Sequence, residues 1–230
     1  MTPVVPDADL LAAVDNVLRA INPGTDVETV RRASDAAYAS YAFGLLLHAA
    51  LLVADRGTVT LRSIRSPNAV PKRFIVRGAP GNIHSTRHDY GYGTFRCNSR
   101  DYEIHLGAQY FGASGVLHEF DISVLEAIHA RAARANKRAP TSGKAKIVFE
   151  CKYYAGTLDI GVGREFVGLL ADFSSARSAR LVTNSASGSI RTYLTEKVRC
   201  RFNEQLVPGA SAAETQFINA VADDLRNRLK

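Results

Sequence analysis

The chain has no tryptophan, one methionine and only three cysteines in 230 residues. The cysteines, Cys97, Cys151 and Cys200, are odd in number and widely spaced, with no Cys-x-x-Cys pair. That argues against a disulfide framework and for a reducing compartment. His84 and His88 with Cys97 do not complete a zinc set, so the segment carrying them reads as a loop. Long hydrophobic runs are missing too. The longest, 42–54, contains His48 and falls short of the roughly 20 residues that span a membrane. No basic n-region or apolar h-region opens the chain, so no signal peptide is read, and a soluble cytoplasmic protein is expected. Gly161-Val162-Gly163 lacks a third glycine or a following Gly-Lys-Ser, so it is not read as a phosphate loop. Acid is the scarcer charge: 22 Asp and Glu stand against 29 Lys and Arg, a net charge of +7. That sign favours an anionic partner, nucleic acid first.

What is present is a series of periodic segments in a chain of 46% hydrophobic residues, a globular composition. Apolar spacing predicts a helix over 7–21, closed by Asn22-Pro23-Gly24. A second helix is expected from near Asp26 to about Asp55. From 36 to 54 it is apolar nearly all round, as in a helix packed on several sides. Alternation predicts strands over 58–64, 74–76, 102–106, 116–125, 146–154, 179–184 and 201–207, with glycine-rich loops over 78–93 and 107–115. Further helices are expected after Glu126, over 164–173, over 189–197 and from Ser211, where Ser211-Ala212-Ala213-Glu214 reads as a capping box. The expected fold class is α/β, with a mixed central β-sheet flanked by helices on both faces. Its front half suits antiparallel hairpins and its back half parallel strands joined by helices. Residues 1–230 are expected to form one domain, with a core over about 36–190 and the terminal helices packed on it.

Two of the strands carry charge that alternation turns to one side. In 116–125, Glu119, Asp121 and Ser123 are expected on one face. In 146–154, Glu150 and Lys152 share a face and Cys151 belongs to the other, with the core. Strands rich in Val, Ile, Leu and Phe seldom turn charge inward without a reason. The plain alternatives are a strand-end aspartate bonding backbone amides and an ordinary surface ion pair. The chemical alternative is a hydrolytic site: carboxylates suit a hard divalent cation, and a lysine beside them can orient water and neutralise developing charge.

Asp121, then Glu150-Cys151-Lys152 at the end of an apolar strand, then helix, strand and helix, resembles the PD-(D/E)xK nuclease superfamily over roughly 36–190. Phe120 stands where that family's proline usually precedes the first acid. The resemblance implies a restriction-endonuclease-like core and a Mg2+-dependent endonuclease, with Mn2+ able to substitute. It implies Asp121 and Glu150 as metal ligands and Lys152 as the residue assisting the attacking water. It also implies a further acid on the preceding helix, for which Asp35 is the first choice and Glu28 the second, and a polar residue on the following helix, Arg164 or Glu165. Glu119 is an additional possible ligand. The partner implied is DNA, with RNA possible, in a restriction, phage-defence or DNA-processing system, and with a homodimer or a partner subunit for targeting. Arg131, Arg134, Lys137, Arg138 and Lys144 are the expected phosphate contacts. The competing function is a catalytically inactive nucleic-acid-binding or assembly subunit. A small-molecule enzyme is disfavoured by the lack of a cofactor loop.

Overall fold

The computed structural model describes residues 7–29, 34–173 and 176–229. The first six residues, read above for a leader, lie outside them. The sheet is built against one buried helix, α2 (Ser34–Leu51). Phe43, Leu46 and Leu47 are fully buried on it, each worth roughly 1.5–3 kcal/mol. α1 (Asp7–Ile21) lays its stripe of Leu10, Val14 and Leu18 into the same core cluster, as does α6 (Ser211–Arg228) with Phe217, Val221 and Leu225. Among the described residues no helix is long and apolar enough to cross a membrane.

The second helix starts later than its sequence pattern predicts. Asp26–Thr29 is a strand, β1, paired in parallel with β3 (Arg73–Val76). Its acids look like a helix start, but the ladder to β3 and an ion pair between Glu28 and Arg73 hold it extended. Long-range pairing outweighs a local pattern here.

Among the described residues seven strands make the main sheet. They are β2 (Val59–Ser63), β4 (Gly91–Cys97), β5 (Arg100–Phe111), β6 (Leu117–Glu126), β7 (Ala145–Lys152), β8 (Ser178–Thr183) and β9 (Cys200–Asn203), neighbours in that order. Pairing is antiparallel from β2 to β7 and parallel from β7 to β9. α4 (Ile160–Ala171) and α5 (Gly188–Thr195) make the crossovers, and α3 (Ala127–Ala135) follows β6. A second core cluster gathers α3, α4 and α5 residues such as Ala130, Phe166 and Ile190, while α1, α2 and α6 serve the first. The fold is thus mixed α/β, as the order of segments predicts.

The sequence hid β4, whose glycines made it look like loop. Gly93 is there for space: a Cβ would stand 2.4 Å from Leu47 Cδ2 of α2. Two helix starts also differ from expectation. α4 begins at Ile160, with Asp159 accepting from the Gly161 N–H at 2.6 Å, so the glycines sit in its first turn. The capping box does not form, because α6 starts after Ala210 and Glu214 instead accepts the Tyr41 hydroxyl at 2.6 Å.

Candidate active site

β6 and β7 are paired over only part of their length. The ladder runs from Leu125 opposite Ala145 to Ile122 opposite Phe149 and stops there. Beyond that point β7 keeps β8, with Glu150 opposite Leu181 and Lys152 opposite Thr183, while β6 keeps β5. The strands part like a fork, with Asp121 on one prong and Glu150 and Lys152 on the other. Parting leaves backbone donors unpaired, and such donors need a partner. Asp121 Oδ2 supplies one, accepting from the Cys151 N–H at 2.6 Å. Lys152 Nζ reaches Glu150 Oε1 at 2.7 Å, as side chains two apart on a strand can.

The alternation of β5 and β6 is reset beside Asp121. Leu106 and Ile122 pair and belong to the α2 cluster; the next pair, Ala108 and Phe120, belongs to the opposite cluster. Between them Gly107 has φ +53, a region costly to residues with a Cβ. Ser123, expected beside Glu119 and Asp121, therefore lies with the other cluster and accepts the Tyr110 hydroxyl at 2.8 Å. Glu119 and Asp121 line a cavity of about 140 Å³ together with Asp35 and Ala39 of α2, Arg77 and Gly107. A Cβ on Gly107 would stand 2.9 Å from Arg77 Cδ and 3.1 Å from Glu119 Oε1. Gly107→Ala is expected to destabilise the chain by roughly 2 kcal/mol in urea unfolding; an unchanged midpoint would contradict the close approach.

Charge in this region is unbalanced. Burial, and then the charge of Glu150, push Asp121 up to about 8. The same two causes push Glu119 up to about 7, against the pull of Arg77 and Lys152. Burial pulls Lys152 down, but the charge and hydrogen bond of Glu150 outweigh it and hold the ammonium above its ordinary range. Because the folded value for Asp121 lies above its ordinary 3.8, its contribution to stability is full below about pH 4 and is lost as pH rises toward 8. In the cation-free chain, Asp121→Asn is expected to raise the melting temperature at pH 8 and to leave it near wild type at pH 4. Equal changes at both pH values in calorimetry would contradict this account.

Buried carboxyl groups that are costly to ionise beside another carboxylate fit a hard divalent cation, whose charge would offset both costs. Among the described residues no group of three His, Cys, Asp or Glu forms a ready-made ligand set. Magnesium needs none, since it commonly takes one or two carboxylates and completes its shell with water and substrate oxygens. Asp121 and Glu150 are the two the fork offers.

The other expected residues divide. Asp35 is exposed at the start of α2 yet lines the same cavity as Glu119 and Asp121. Glu28 is committed to Arg73. Arg164 and Glu165 are exposed on α4 and line none of this cavity. Of the basic residues, Arg131, Lys137, Arg138 and Lys144 are exposed, and Arg138 lies over the Phe111 ring at 5.5 Å. Arg134 is turned inward instead, making two 2.7 Å hydrogen bonds to Glu103.

Two residues at the site escaped sequence reasoning. Arg77 is buried beside Glu119, donating to Asn82 O at 3.3 Å and lying over Tyr90 at 4.1 Å. Its only signal was an arginine directly after the short apolar strand 74–76. Asn184, at the end of β8, accepts from the Tyr154 N–H and donates to Tyr154 O, both at 2.9 Å. It fixes the chain just beyond Lys152, and only long-range pairing reveals it. Comparison of the chain with protein-family models, with curated proteins and with solved structures finds no match.

Proposed function

We propose that the chain is a divalent-cation-dependent nuclease that hydrolyses phosphodiester bonds, of DNA in the first instance and of RNA as the alternative. The observation that carries this reading is the fork, where Asp121, Glu150 and Lys152 meet beside a cavity lined by Asp35 and Glu119. The order α2, antiparallel β5–β6–β7, α4, parallel β8 supports a restriction-endonuclease-like core around it.

In this proposal Asp121 and Glu150 hold Mg2+ or Mn2+, whose bound form supplies Lewis-acid stabilisation of charge on the phosphate. Asp121 is oriented for this by the Cys151 N–H. Lys152 stays protonated under the influence of Glu150 and donates to the attacking water or to a phosphate oxygen as charge builds up. Asn184 bonds both backbone groups of Tyr154 and so ties down the chain just beyond Lys152, while Glu150 positions the ammonium itself. The setting we propose is a restriction, phage-defence or DNA-processing system, with a second copy or a partner subunit supplying the targeting.

The exposed position of Asp35 favours one alternative: a binding or assembly subunit of the same fold that cuts nothing. Plasmid DNA and a structured RNA incubated with the purified chain separate the two. Nicking with Mg2+ or Mn2+, abolished by EDTA, is expected. Intact nucleic acid under every condition would favour the inactive subunit.

A further inference from the structure

The sheet carries a second polar surface away from the cavity. Along β2, β4 and β5, Leu61, Phe95 and Ile104 join the core cluster on the α2 side. Their strand neighbours Thr60, Arg62, Thr94, Arg96 and Glu103 alternate with them, on the other face. There, with Arg56 and with Arg131 and Arg134 of α3, they line an open groove of about 540 Å³. Two carboxylates also line it, and both are committed. Glu103 takes Arg134 at 2.7 Å, and Asp101 takes Arg96 at 3.2 Å. Among the described residues Arg56, Arg62 and Arg131 have no carboxylate partner. The groove therefore presents three uncompensated guanidinium groups.

Its shape and floor narrow the ligand. From Thr58 through Thr60 to Arg62 the strand side chains recur over roughly 13 Å, longer than one phosphate can occupy. Arg131 stands on α3 one turn before Arg134, whose paired bonds to Glu103 hold that helix against β5. The aromatic floor is closed to bases: Tyr92 is 2% exposed. His105 stacks on it at 4.9 Å and Arg134 lies over it at 5.1 Å. A surface with cations and hydroxyls but no free ring reads phosphates, not bases.

We propose that this groove binds the phosphodiester backbone of a nucleic acid, without base selectivity, at a place separate from the fork. The inference rests on nucleic acid being the chain's ligand, but not on its being cut. A long substrate is then gripped on one face of the sheet while a different tract of it reaches the fork on the other.

Binding of the full chain to a labelled mixed-sequence DNA, single-stranded and duplex, by fluorescence anisotropy in EDTA over a range of salt, tests it. Arg62→Gln with Arg131→Gln is expected to weaken binding at least tenfold at about 0.1 M salt. The slope of log affinity against log salt should fall by about 1.4 for single strands or about 1.8 for duplex, as for two lost phosphate contacts. The equal charge change Arg226→Gln with Arg228→Gln, on exposed positions of α6, should cost less than twofold. Matching melting temperatures establish that all three proteins fold, and the single Arg131→Gln gives about half the slope change. Equal losses in both double variants, or no loss in the groove variant, would overturn the proposal. So would pyrophosphate bound in the groove by a chain that leaves DNA unbound. A folded wild type that binds no DNA would overturn it as well. If the wild type binds DNA in EDTA, the groove variant loses that binding and the wild type never cuts with Mg2+ or Mn2+, the groove stands and the nuclease reading falls.

Discussion

Replacing Lys152 by alanine is expected to slow phosphodiester cleavage by roughly a hundred- to a thousandfold, the usual loss when one positioned donor to a charged transition state is removed. Lys152 is a third exposed, so its ammonium is open to an incoming phosphate, and Glu150 keeps it charged. Its removal takes away the positive charge nearest Glu150, together with the hydrogen bond to Glu150 Oε1, while both proposed cation ligands stay in the chain. Divalent-cation affinity should then be held or increased while the rate falls. A conservative Lys152→Arg keeps the charge but spreads it over a planar group and should recover only part of the rate. Single-turnover cleavage of a labelled duplex with Mn2+ measures this directly. A rate within a few fold of wild type would remove Lys152 from the chemistry and leave it as a strand-surface ion pair.

The largest stability effect is expected at Glu103. Its side chain is 3% exposed, bonded twice by Arg134 and once by His105 Nε2 at 2.8 Å. Glu103→Ala leaves a guanidinium without its buried partner, and breaking such a pair costs about 3–5 kcal/mol. Glu103→Gln keeps an acceptor and should cost less. Burial pushes Glu103 up, but the bonds from Arg134 and His105 outweigh it and hold the carboxyl below its ordinary 4.5. The pair's contribution is therefore complete above about pH 4.5 and is lost as pH falls through the lower folded value. Urea unfolding at pH 7 and at pH 4 checks both points. A loss under about 1 kcal/mol at pH 7 would mean that α3 is held by its alanines alone.

The strand that carries Glu150 and Lys152 was legible because its alternation is local, and the carboxylate-lysine pair followed from it directly. Asp121 was legible as a residue but not as a geometry. Whether β6 and β7 stay paired or part at Asp121 depends on which strand each prefers on its other side, and no local pattern records that. The same limit explains Ser123, since the reset at Gly107 lies on a different strand. β1 and β4 were missed for opposite reasons: β1 has acids that imitate a helix start, and β4 has glycines that imitate a loop. Arg134 shows how charge counting misleads. Its neighbours Arg131 and Lys137 do face solvent, but a buried acid on β5, invisible to helix periodicity, takes Arg134 inward.

The proposed function requires the fork to bind a divalent cation. Titration calorimetry of Mn2+ into the EDTA-stripped, dialysed wild type and into Asp121→Asn tests it most directly. Saturable binding by the wild type is expected, with at least about tenfold weaker binding by Asp121→Asn, since even partners one step removed from a metal typically cost that much. Equal affinity in the two proteins, or no binding by a wild type that is shown to be folded, would contradict it.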